Sequence, residues 1–275
     1  MRSGLASEYR RCGDLTLHTL TGPGAGTPAV LVHSPTSHAH SWLPVASRMS
    51  SRVLCPDMRG HGFSGWTRAG YRLRDYAADL ERFCAGRRRV DLVAPSLGGR
   101  VAVLAAAALG DRVRRLVLLD SAPSLPASAL ARIGATRSAT GRRTGFRSTA
   151  EVEEFWAAAH PTWTAEAVAV RARHLYRRNW AGIWVSRNDP EIGHLFGPVG
   201  AAEEPAVWAA LAAVTARTVV VRARDSLLLD DATARRVADA LPAGELREVP
   251  GGHYLPHEQP AAVATLLDEL LTAST

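Results

Sequence analysis

The sequence predicts an α/β domain in which a mostly parallel sheet is covered by helices on both faces and interrupted by one helical insertion. Three observations predict it. Short apolar runs, expected of strands buried on both faces, alternate with segments of helical period. The alternation breaks once, between residues 122 and 205, and then resumes. The 275 residues also suffice for one large core plus a lid.

In chain order, residues 7–21 read as a polar hairpin, closed by the turn-rich stretch TGPGAGTP. AVLVHS and RVLCPDM read as strands. In RLRDYAADLERF, the residues Leu73, Tyr76, Ala77, Leu80 and Phe83 share one face, as in an amphipathic helix. VDLVAP reads as a strand, 97–109 as a helix and VRRLVLLD as a strand. The insertion reads as helices without strands, at SALARIGA, AEVEEFWAAA and AEAVAVRARHLYRR. From 217 the pattern is strand (RTVVVRA), helix (231–241), strand (ELREVP) and helix (260–271). The expected organisation is a core from 1–121 and 206–275, with a helical cap over 122–205.

Composition narrows the function classes. The formal charge is +7 and every basic residue other than histidine is arginine, a bias that with the abundant alanine suggests a GC-rich genome more than a nucleic-acid ligand. No nucleic-acid-binding motif accompanies the charge, so a solvated basic face is the reading and no nucleic-acid partner is expected. The longest apolar run, Val101 to Leu109, is too short to span a bilayer, and the N-terminal stretch lacks the apolar segment of a signal peptide. Cys12, Cys55 and Cys84 are too few and too scattered for a disulfide framework or a zinc cluster. A cytoplasmic protein with free thiols, a small-molecule substrate, no membrane partner, no metal and no cofactor is expected.

The chemistry concentrates in DLVAPSLGGR. A strand ends at Ala94, Ser96 follows two positions later, and an apolar helix begins. A sharp strand-to-helix turn holds a serine in a strained conformation and needs small neighbours, here Ala94 and Gly98. Pro95 restrains Ala94 to extended geometry. The N–H of Leu97, at the start of the helix, is placed to donate to an oxyanion. In GGHYLPHEQP, His253 stands in a glycine turn after the last strand, where a neutral imidazole can take and return a serine proton. His257 is its competitor.

These motifs, with HSPTSHAHSW (33–42) and PDMRGHGFS (56–64), occur in the order found in α/β-hydrolase-fold proteins, which the chain resembles over nearly its whole length. The cap stretch WAGIWVSRNDPEI is similar to the caps of small bacterial esterases of that superfamily. The resemblance implies a nucleophile at Ser96 and a general base at His253, with His61 a structural residue of the Arg-Gly-His-Gly turn.

Two departures stand out. The acid of the family follows the strand VVVRA, where this chain has Ser226 and Leu227 at the positions an aspartate would take. Asp225 is the first candidate for the acid, displaced by one or two positions, and Asp120, at the end of LVLLD, is the second. In the oxyanion loop, Ser34 replaces the usual glycine and Pro35 falls where a backbone N–H is needed, which proline lacks. Thr36, His38 and His40 are alternative donors. The density of aromatics in the cap marks Trp156 and Trp184 as candidates to line a pocket for a bulky apolar substrate, against the alternative that the cap aromatics pack its own core. The function expected is serine-dependent hydrolysis of a small ester-like or C–C-bonded substrate. The alternatives are a non-hydrolytic cyclase or lyase of the same fold in secondary metabolism and a catalytically impaired ligand-binding protein.

Overall fold

In the computed structural model, which describes residues 4–68, 70–124, 129, 131 and 145–272, the predicted strands assemble into one eight-stranded sheet. The N-terminal hairpin is β1 (Ala6–Cys12) and β2 (Leu15–Thr21), paired antiparallel. Then follow β3 (Ala29–Leu31), β4 (Val53–Pro56), helix α1 (Leu73–Cys84), β5 (Val90–Pro95), α2 (Ser96–Leu109) and β6 (Val113–Leu119). With β9 (Arg217–Ala223) and β10 (Gly244–Val249) from the C-terminal part, the spatial order is β1-β2-β4-β3-β5-β6-β9-β10. From β4 onward all neighbours are parallel.

The side-chain period of two divides each central strand between two apolar layers. Val30, Leu92, Ala94, Leu116, Leu118 and Val220 enter the layer packed with α1 and α2. Their chain neighbours Leu31, Val93, Val117, Leu119, Val219 and Val221 enter the opposite layer, with Trp42 and the C-terminal helix. A strand apolar at every position is therefore what two covered faces require.

Between β6 and β9 the chain forms α3 (Thr149–Ala159), α4 (Ala165–Leu175), a two-stranded hairpin of β7 (Tyr176–Arg178) and β8 (Trp184–Ser186), and α5 (Glu204–Leu211). The side chains of Ser148 and Thr164 cap α3 and α4 by accepting from the N–H groups of Glu151 and Ala167. The hairpin corrects the expectation of helices without strands. Its loop is built by Asn179, whose side chain accepts from the Ile183 N–H, and by Gly182 at φ +79°. The helix expected at SALARIGA falls largely outside the described residues. The core closes with β9 (Arg217–Ala223), α6 (Asp231–Asp239), β10 (Gly244–Val249) and α7 (Pro260–Thr272). No helix among the described residues is long and apolar enough to cross a membrane.

Candidate active site

The loops that leave the carboxyl ends of β3, β5, β6 and β10 meet at one edge of the sheet, the usual ligand side of an open parallel sheet. Ser96 leaves β5 at φ +51°, in the left-handed region that disfavours a side chain. Two close approaches explain its glycines. A Cβ on Gly98 would stand 2.8 Å from the His33 carbonyl oxygen, and one on Gly99 would collide with the Ser121 hydroxyl. Ala94, on the other side of the turn, is fully buried. Among the described residues three non-glycines have positive φ, and they are Thr36, Ser96 and Asp120. All three belong to this edge, and each costs roughly 1–3 kcal/mol that the surroundings must offset.

The Ser96 hydroxyl donates to His253 Nε2 at 3.0 Å, and His253 Nδ1 donates to Asp120 Oδ2 at 2.7 Å. His257 is not part of this chain of bonds. It stacks on Trp163, with ring centroids 4.3 Å apart. Asp120 is 1% exposed and fully engaged: Oδ1 accepts the Ala223 N–H at 3.0 Å, and Oδ2 also accepts the Ser226 hydroxyl at 2.6 Å. Asp225 lies apart. Its N–H donates to the Gly251 carbonyl, and among the described residues its exposed carboxylate accepts only the long Gly251 N–H bond of 3.4 Å. The structure thus brings Asp120, the second of the two expected candidates, to His253 and leaves Asp225, the first, away from it. The turn after β9 points Asp225 to solvent and Ser226 inward, and Ser226 bridges the gap to a carboxylate from the neighbouring strand.

Ser226 is the residue whose role sequence reasoning missed. Its oxygen also accepts the N–H groups of Leu228 and Leu229, at 3.1 and 3.2 Å, so one hydroxyl ties the β9 turn to Asp120.

The oxyanion side is held from beneath. His33 Nδ1 donates to the Ser34 carbonyl, and its Nε2 accepts the Met58 N–H at 3.0 Å. His61 Nε2 accepts the Thr36 N–H at 3.3 Å, so that donor is occupied. Burial pushes the His61 imidazole down to about 3, consistent with an acceptor nitrogen. Beneath this turn the buried Asp57 carboxylate accepts from His18 Nδ1 and the N–H groups of Ala39 and Phe63. Burial opposes its ionisation, but the His18 bond, the neighbouring His33 and His38 rings and the Ala39 N–H hold it well below the usual carboxylate range. Pro35 offers no N–H, while the Ser34 hydroxyl donates weakly to the Pro95 carbonyl at 3.3 Å. The Leu97 N–H belongs to the first turn of α2, where amides have no intrahelical partner.

A cavity of about 700 Å³ opens above Ser96, floored by Ser34, Pro35, Leu97 and His253 and roofed by the insertion. Trp156, Trp163 and Tyr176 line it. Trp184 does not. It pairs with Phe146 across an isolated bridge and packs with Phe155 in a small core of the insertion itself. Trp180 is 99% exposed. His38 is also absent from the cavity wall. It is fully buried, with neither ring nitrogen partnered among the described residues, because the loop turns it away from the cavity. Arg171, from the buried stripe of α4, does enter the cavity. The signal for it was an arginine at i+4 from Ala167 on an otherwise apolar face. Among the described residues no group of three potential ligands is arranged to hold a metal ion.

A strained serine at a strand-to-helix elbow, hydrogen-bonded through a histidine to a buried carboxylate at the strand ends, is the site architecture of an α/β hydrolase. The model of the alpha/beta hydrolase family matches residues 29–266, and the chain belongs to that family. It is 28% identical to a 2-(acetamidomethylene)succinate hydrolase of Mesorhizobium japonicum over 99% of both chains. It is also 28% identical to a 3-hydroxybutyrate-oligomer hydrolase of Cupriavidus necator, over 90% of this chain and 91% of that one. The crystal structure of E-2-(acetamidomethylene)succinate hydrolase superposes with a TM-score of 0.85, covering 98% of this chain and 100% of that one at 28% identity. These relatives are hydrolases, which supports hydrolase activity and a small-molecule substrate here.

Proposed function

We propose that the protein is a serine hydrolase that cleaves a small acyl substrate, with Ser96 as nucleophile, His253 as general base and acid, and Asp120 as the orienting carboxylate. The observation that carries this reading is the unbroken series of bonds from Asp120 through His253 to a serine held at φ +51° beneath a cavity. Ser96 Oγ attacks the acyl carbon as its proton passes to His253 Nε2, and the imidazolium is stabilised by Asp120. The same proton is returned to the leaving group as the tetrahedral intermediate collapses. Water, deprotonated by His253, then attacks the acyl-serine, and the acid and free serine are released. The Leu97 N–H donates to the oxyanion. Residues 122–205 act as a cap that closes the cavity and excludes water.

A second reading is favoured by one specific feature. With Pro35 lacking an N–H and the Thr36 N–H given to His61, the oxyanion hole has one backbone donor fewer than usual. A serine and an imidazole with a weakened hole suit proton transfer in a lyase or cyclase reaction on the same substrate class. The experiment is labelling with a fluorophosphonate together with a panel of short-chain p-nitrophenyl esters, on wild type and Ser96→Ala. Labelling and turnover that vanish in Ser96→Ala are expected. Equal labelling of both proteins rejects Ser96 as nucleophile, and labelling without turnover of any ester favours the second reading.

A further inference from the structure

The cavity holds a charge that the reaction above does not use. Arg171 is 6% exposed and sits among Ala167, Val168, Ala172 and Leu175 on the buried stripe of α4. Its Nη2 donates to the Thr36 carbonyl at 3.0 Å, while its Nε is buried with no partner among the described residues. Trp156 covers the guanidinium at 3.8 Å, and the Trp163 ring lies 5.5 Å away. Among the described residues no carboxylate pairs with it. The nearby acids are committed elsewhere: Glu166 to Arg48 at 2.9 Å, and Glu258 to the Gly252 N–H and the Thr162 hydroxyl. Other polar atoms of the same wall also lack a partner among the described residues, namely Trp163 Nε1 and both ring nitrogens of His257.

A guanidinium taken from water without a counter-ion is costly, and a planar cation with an unused N–H edge is complemented best by a planar anion. Stacking on Trp156 holds the fork still, so little freedom is lost when a ligand engages it. The bond to Thr36 ties Arg171 to the loop that also carries Ser34 and Pro35, and so to the acyl side of Ser96. One cation in an aromatic box matches a monoanion better than a phosphate dianion.

We propose that Arg171, with the Trp163 indole N–H beside it, is a subsite for a carboxylate carried by the substrate, so that the enzyme selects anionic acyl compounds. This deepens the hydrolase reading and rests on it. Arg171 positions the substrate and takes no part in bond cleavage.

Binding to the Ser96→Ala protein tests it, with the ligand recovered after titration and checked to be intact, so the outcome is independent of whether Ser96 is the nucleophile. Monobenzyl succinate and benzyl methyl succinate carry the same benzyl ester and differ in one negative charge. By isothermal titration at pH 7.5 the monoanion is expected to bind ~10–100-fold tighter, the gain from one charge-assisted bidentate pair. In Ser96→Ala/Arg171→Met the two should bind within about threefold of each other, and Ser96→Ala/Arg171→Lys should retain part of the preference. Equal or tighter binding of the neutral diester to Ser96→Ala overturns the proposal, a result that needs no substitution at 171. So does an anion preference that survives Arg171→Met.

Discussion

Replacing Asp120 with asparagine removes a charge and an acceptor from a carboxylate whose two oxygens are both engaged. Its two oxygens receive three donors: the Ala223 N–H at 3.0 Å, the His253 Nδ1–H at 2.7 Å and the Ser226 hydroxyl at 2.6 Å. An asparagine has one acceptor oxygen and one NH₂. If the oxygen stays with His253 and Ser226, the NH₂ meets the Ala223 N–H, a buried donor-to-donor conflict of about 1–3 kcal/mol in stability. If the amide turns over, the NH₂ faces Nδ1 and makes it an acceptor. The ring proton then sits on Nε2, which can no longer take the Ser96 proton. Either way the imidazolium formed in the reaction loses its carboxylate. A loss of ~10⁴ in kcat/KM is expected, about 5 kcal/mol of transition-state stabilisation. The assay is kcat/KM on p-nitrophenyl butyrate and the rate of fluorophosphonate labelling, with Tm measured in parallel. Asp225→Asn, whose carboxylate is exposed, is expected within threefold of wild type. Asp120→Asn keeping more than a tenth of the activity while Asp225→Asn drops a hundredfold would refute the assignment.

Ser226→Ala removes a donor to Asp120 and the acceptor of the Leu228 and Leu229 N–H groups, so stability should fall by about 1–3 kcal/mol in urea titrations and kcat/KM by roughly tenfold; no change in either would show the bridge to be dispensable. Pro35→Ala supplies the missing N–H, and ester turnover should rise by about tenfold or more, the converse of removing an oxyanion donor; lower turnover with an unchanged Tm would mean the hole is complete without it. Stability should fall in acid. Burial depresses His40, His61 and His257 to about 3 in the folded state from an ordinary 6.5. The unfolded chain therefore binds protons that the folded one refuses, so this stability is full above about pH 6.5 and is lost as pH falls toward 3. Thermal melts from pH 7 to 4 should show a steady decline in Tm, and a flat profile would contradict the buried neutral state of these rings.

What the sequence determined by itself is whatever local geometry imposes. Strand and helix order was legible because a residue's period reports which face it buries, and VDLVAP and RTVVVRA coincide with the observed strands. The elbow was legible because its turn admits only small residues at fixed offsets, and His253 because a glycine turn after the last strand is a local signal. Residues whose placement depends on distant chain segments were not legible. Asp120 and Asp225 both stand near strand ends, and only the pairing of β6 with β9 brings Ser226, 106 positions away, against Asp120 and leaves Asp225 outside. Trp184 and His38 look like wall residues in sequence, yet the β7–β8 hairpin and the turn of the oxyanion loop direct them elsewhere. Arg171 is one arginine among many in a basic stretch. That it is buried, stacked and without a counter-ion follows from how α4 docks on the oxyanion loop, because desolvation of a charge is a property of everything packed around it and not of the residue that carries it.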